Sequence, residues 1–339
     1  MFEHRSKSVL LLIVVLLLSL AGGVGAQARV VGVTLDDGPR GPDESYALFE
    51  QAGADAIEAP QSWAELEPAR GRFRLADIES IVEGIAPTPS TQAMLIPAVI
   101  ETGARSTPPD LRRVRWDDPR MVERYRMLID RIARASTRQV TTLSIANEAD
   151  VYFGAHPREL PAFLRFARAE LAELRRRAPW VHAGVTVTSA GLAGAHPRIA
   201  RALARLGTAT IVTYYPLGDG YRPRPASAPL TDIPHLIDLA HGRPLVIQEA
   251  GYPSSPHLGS TPTAQATFVR DVFAAWDRDP AAIPFLSFYS LFDLPTGACA
   301  HRSDNDQAAF LCSLGLHDRA GRPKPAWAAF RMGAQHVTR

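Results

Sequence analysis

Two glutamates stand where this sequence can do chemistry. Glu148 closes the run Ser144-Ile145-Ala146-Asn147, and Glu249 closes Pro244-Leu245-Val246-Ile247-Gln248 ahead of the turn Ala250-Gly251-Tyr252-Pro253-Ser254. A short apolar run that ends on a carboxylate and then a Gly/Pro turn is how a buried parallel strand delivers one acidic side chain to the rim of a barrel. Two carboxyl groups in different environments divide labour: one stays protonated and gives its proton to a leaving oxygen, the other stays ionised and attacks the opposite face.

The elements that must position this pair alternate short apolar runs with longer amphipathic segments, the pattern of repeated βα units. Eight strands are expected, at 30–35, 54–59, 93–99, 140–146, 182–188, 209–215, 244–248 and 284–290. After the fourth, Leu160, Phe163, Leu164, Ala167, Leu171 and Leu174 recur at helical spacing. Arg165, Arg168, Glu170, Glu173 and Arg175 fall between them, which predicts one core-facing stripe. The two glutamates are 101 residues apart. Across three βα units that is about 34 per unit, near the roughly 30 of an ordinary (β/α)8 barrel, so they belong at the ends of strands 4 and 7 on one face. The fold class is α/β, a single (β/α)8 TIM barrel over residues 27–339. Pro/Gly-rich stretches follow strands 3, 6 and 7, where such barrels build their sites.

The 339 residues are 46% hydrophobic with a formal net charge of +2, which supports a large core and gives no electrostatic bias toward nucleic acid. Arg5 and Lys7, the apolar run 9–20 and the small residues before Gln27 read as a signal peptide over residues 1–26, implying a secreted or periplasmic protein without stable membrane insertion. An uncleaved N-terminal membrane anchor is the alternative. Cys299 and Cys312 are the only cysteines, and in an exported chain they are expected to form a disulfide.

Cleaving a glycosidic bond needs a proton donor and a carboxylate on opposite sides of the sugar, which the pair supplies. The chain resembles the clan A glycoside hydrolases, retaining (β/α)8 glycosidases of cellulase, mannanase and galactanase type. Asn147-Glu148 is similar to the Asn-Glu pair that ends their strand 4, and 248–254 is similar to the segment around their strand-7 nucleophile. Further likeness lies in Ser62-Trp63-Ala64-Glu65-Leu66-Glu67-Pro68 with Gly71-Arg72-Phe73, in Asp117-Asp118-Pro119, and in 315–327. The resemblance implies Glu148 as general acid/base, Glu249 as nucleophile, and Tyr214 or Tyr215 as the tyrosine that hydrogen-bonds it. Asn147, Trp63, Tyr252, Tyr289 and Asp293 complete the expected substrate-binding set. An oligo- or polysaccharide substrate, a monomer, and no metal or organic cofactor are expected.

Two departures stand out. Glu58 falls where the clan commonly has an arginine beside the nucleophile, and Phe288-Tyr289-Ser290 occupies a strand 8 that often carries tryptophan. Thr34-Leu35-Asp36-Asp37-Gly38-Pro39 is similar to the metal-binding motif of polysaccharide deacetylases, although the paired histidines that complete such a site are absent from the sequence. A non-catalytic carbohydrate-binding barrel is the remaining alternative.

Overall fold

A computed structural model describes residues 29–35, 38–194, 197–295 and 305–337. The proposed signal peptide, Asp36, Asp37 and Cys299 lie outside the described residues. The strands are β1 Val30–Val33, β2 Ala56–Ser62, β3 Gln92–Ala98, the hairpin β4 Ile100–Glu101 and β5 Ala104–Arg105, β6 Val140–Ser144, β7 His182–Gly184, β8 Thr186–Thr188, β9 Thr210–Tyr214, β10 Leu245–Ala250 and β11 Phe285–Phe288. All but the hairpin join one parallel sheet in the order β7-β6-β3-β2-β1-β11-β10-β9-β8. Since β7 and β8 are two halves of one strand interrupted at Val185, the ends of that order meet and the barrel closes on eight strand positions. Each expected strand is therefore present.

Local chemistry sets the surrounding helices. Helix Pro119–Ala135 opens on Asp118, whose carboxylate accepts the Arg120 N–H at 2.9 Å, with proline at its first position. It buries Met121, Tyr125, Leu128, Ile129 and Ile132 along one stripe. Helix Leu160–Arg177 packs beside it and buries Phe163, Ala167, Leu171 and Leu174 as expected. Its buried face is wider than that stripe: Phe166, Glu170 and Glu173 are also buried, with Tyr125 and Arg126 of the neighbouring helix beside Phe166 and Glu170. Burial pushes the Glu170 carboxyl up to about 7.

Inside the barrel, Val30, Ala56, Met94, Ile96, Ala98, Ala209, Ile211, Val246 and Phe285 form a separate apolar cluster. Above it, toward the C-terminal ends of the strands, the filling turns polar: Thr142, Ser144, Thr186, Gln248 and Ser287 are all buried. The Thr186 hydroxyl donates to Gln248 Oε1 at 2.6 Å, passing over β9, a contact that only the inside of a closed barrel permits. That polar layer is the floor on which the glutamates stand.

Candidate active site

Glu148 follows β6 in a left-handed conformation (φ 45°, ψ 42°), unusual for a residue with a Cβ, and begins the short helix Ala149–Ala155. The turn is held by Asp150, whose carboxylate accepts the Thr188 N–H at 2.8 Å and the Thr188 hydroxyl at 2.7 Å. The Glu148 carboxyl then receives Thr213 Oγ1 at 2.7 Å and Thr102 Oγ1 at 2.9 Å. Burial raises its pKa and the Asp150 charge adds to this, while the two hydroxyls oppose it.

Glu249 lies in β10 where the pairing with β9 shifts between Ile247 and Glu249. Tyr215 donates its hydroxyl to Glu249 Oε2 at 2.6 Å, and Gln248 Nε2 donates to Oε1 at 3.0 Å. Gln248 Nε2 also reaches Asn147 Oδ1 at 2.9 Å, so neighbours of the two glutamates are directly bonded across the barrel. Burial first, and the Glu148 charge second, push the Glu249 carboxyl up to about 7. Gly251 makes the tyrosine contact possible: a Cβ there would lie 2.5 Å from the Tyr215 ring. Asn147, Glu148, Tyr215, Glu249 and Tyr289 are all half-buried.

The structure thus brings Asn147, Glu148, Tyr215 and Glu249 together and chooses between the two tyrosines. Successive strand residues face opposite sides, and Tyr214 points away, donating to Asp232 at 3.0 Å and stacking near Phe268. Three other expected sugar contacts are corrected. Trp63 is fully buried, its indole N–H on Glu67 at 3.0 Å and its ring 5.0 Å from Tyr125, so no face is left for a sugar. Tyr252 is 5% exposed, stacks on Phe268 and donates to the Arg224 carbonyl at 2.7 Å. Asp293 is tied to Lys324 Nζ at 2.6 Å and to the Gly315 N–H at 3.0 Å, a lock between loops. Tyr289 packs beside the cluster of Leu258, Phe310 and Leu314.

Thr102, Thr213 and Gln248 were not singled out by the sequence. Gln248 and Thr213 adjoin residues that were, and strand alternation could have pointed to them. Thr102 had no local signal. Glu58 is buried within β2.

No family model matches the chain, and no curated protein matches it in sequence. Solved structures do share its fold. GH5_18 from Bifidobacterium longum subsp. longum ATCC 55813, in complex with Manb1-4GlcNAc, superposes with a TM-score of 0.69 at 21% identity, over 91% of this chain and 78% of the other. The exo-beta-1,4-mannosidase Op5Man5 from Opitutaceae bacterium strain TAV5 gives 0.67 at 16%, over 91% and 60%. Native xylanase 10B from Thermotoga maritima gives 0.67 at 13%, over 92% and 97%. The chain has the (β/α)8 fold of these glycoside hydrolases.

Proposed function

We propose that the protein is a retaining hydrolase of β-glycosides that works by double displacement. The observation carrying this reading is the convergence, at the C-terminal mouth of such a barrel, of two strand-end carboxyls held by neutral donors. Glu148 in its protonated form gives its proton to the leaving oxygen as Glu249 in its ionised form attacks the anomeric carbon. Tyr215 and Gln248 hold the attacking carboxylate in place, and Glu148 then takes a proton from the water that releases the sugar. The fold neighbours make β-mannosides and β-xylosides the first substrates to try, Manb1-4GlcNAc among them.

The test sets wild type beside Glu249→Ala on aryl β-glycosides, following product configuration by proton NMR. Expected are a retained anomer and a loss of turnover on the order of 10⁴-fold in the variant. An inverted product or an unimpaired variant would overturn the assignment, and sugar binding without turnover by wild type would favour the non-catalytic barrel. The N-terminal apolar run supports export, and a Cys299–Cys312 bond belongs to the same reading of an exported chain. The intact mass of the exported chain should correspond to a start at Gln27 and two fewer thiol protons, and a chain retaining residues 1–26 would sink the cleavage.

A further inference from the structure

The hairpin of β4 and β5 is fastened at both ends around Glu148. Its first strand lies against the end of β6: the Asn147 N–H donates to the Ile100 carbonyl at 2.9 Å, and the Thr102 N–H donates to the Asn147 carbonyl at 3.0 Å. Ile100 pairs with Arg105 and Glu101 with Ala104, so Thr102 and Gly103 form the tip. From that tip the Thr102 hydroxyl donates to Glu148 Oε2 at 2.9 Å, while Thr213 of β9 donates to Oε1 at 2.7 Å, so each carboxyl oxygen receives one hydroxyl. At the base of the hairpin, Arg105 donates to the Leu111 and Val114 carbonyls, and its guanidinium lies 3.9 Å from the centre of the Trp116 ring. The Trp116 indole N–H donates to Glu159 Oε2 at 2.8 Å, and the same oxygen accepts the Tyr152 hydroxyl at 3.1 Å. Tyr152 stands on helix Ala149–Ala155, which begins at Glu148. A ring of contacts therefore leaves Glu148 along its own helix and returns to it through Thr102.

We infer that Thr102 is a positioning residue for Glu148: the hairpin holds its hydroxyl on Oε2 and so keeps the carboxyl in one orientation for proton transfer. The inference rests on the glycosidase reading for the proton transfer, while the contact itself does not depend on it. Thr102 is exposed at the barrel mouth and has φ 48°, an outlying conformation for a β-branched residue. Among the described residues four other than glycine have positive φ, and two of these, Thr102 and Glu148, are bonded to each other. Such backbone persists where the surroundings over-determine it, and the ring of contacts does so for both. A hydroxyl both donates and accepts, so Thr102 can serve Glu148 as the proton leaves and as it returns. The two hydroxyls favour the ionised carboxylate, against burial and the Asp150 charge. Glu249, Glu101 and Tyr215 are the other titratable groups within electrostatic reach of Glu148.

Thr102→Val keeps the branched shape without the hydroxyl, and Thr102→Ser keeps the hydroxyl. Both are compared with wild type in kcat/KM on a phenyl β-glycoside, whose leaving oxygen needs a proton, and on a dinitrophenyl β-glycoside, whose leaving oxygen does not. Thr102→Val should lose about fivefold on the first and less than about twofold on the second. Thr102→Ser should recover most of the loss. Equal losses on the two glycosides, or a serine variant as impaired as the valine one, would overturn the inference, because the residue would then serve the mouth of the barrel rather than the acid. Carbon-13 NMR of labelled glutamate carboxyls reads the contact without substrate, the Glu148 signal being assigned by its loss in Glu148→Gln. Removing a donor to the carboxylate should raise the Glu148 midpoint by about half a unit in Thr102→Val, with the serine variant at the wild-type value. An unmoved midpoint would likewise overturn the inference. A wild type that cleaves neither glycoside would remove the glycosidase reading and the proton transfer with it, and the NMR midpoints would still decide the contact.

Discussion

Glu67 and Glu249 are two enclosed carboxylates with opposite company. Glu67, wholly buried below the rim, receives Arg124 through Nη2 at 2.7 Å and Nε at 3.2 Å, together with the Trp63 indole and the Gly71 N–H at 2.7 Å. Arg124 also pairs with Asp110. Glu249 has a phenol and an amide, and the nearby charges that shift it come from Glu148. A cation that neutralises a carboxylate fixes its charge, which suits a tie between elements. Neutral donors hold the geometry while leaving the charge to be spent on a bond to substrate. Asp293 with Lys324 belongs to the first kind, at the same mouth as the second.

The contrast breaks most visibly at Arg124. Arg124→Ala would leave the Glu67 charge buried without its cation, and a loss of about 3 to 5 kcal/mol is expected in urea unfolding. If the unfolding midpoint barely moves, Glu67 is not the tie described above. The effect at Glu249 should have the opposite sign. Its pKa is raised from 4.5 to about 7 on folding, so folding is unpenalised below pH 4.5 and disfavoured progressively as pH climbs through 7. Glu249→Gln should therefore match wild type at pH 4 and exceed it at pH 8 by on the order of 2 kcal/mol, read by thermal unfolding at both pH values. A variant less stable than wild type at pH 8 would mean that the carboxylate is better satisfied than its partners suggest.

The eight strands were legible because each is encoded locally, as a short apolar run closed by a turn. Glu148 and Glu249 were legible for the same reason, since parallel strands put all their C-terminal ends on one face. The aromatic residues were not. Trp63 and Tyr252 offer a large apolar face with one polar atom, which serves a sugar platform and a core equally well. Only the surroundings, Tyr125 for one and Phe268 for the other, decide which. Glu170 and Glu173 fall between the stripe residues yet are buried, and the Arg126 that lies 3.8 Å from Glu170 comes from the helix at 119–135, outside any local window.

The sequence by itself determined the barrel, the strand ends and the two acids delivered there, all consequences of periods two and 3.6 along the chain. The tertiary structure decided what surrounds those acids. The β10 register shift, the space left at Gly251 and the hairpin after β3 bring Tyr215, Thr213 and Thr102 to the pair. Distances across a closed barrel depend on closure and register, which no single stretch of chain encodes.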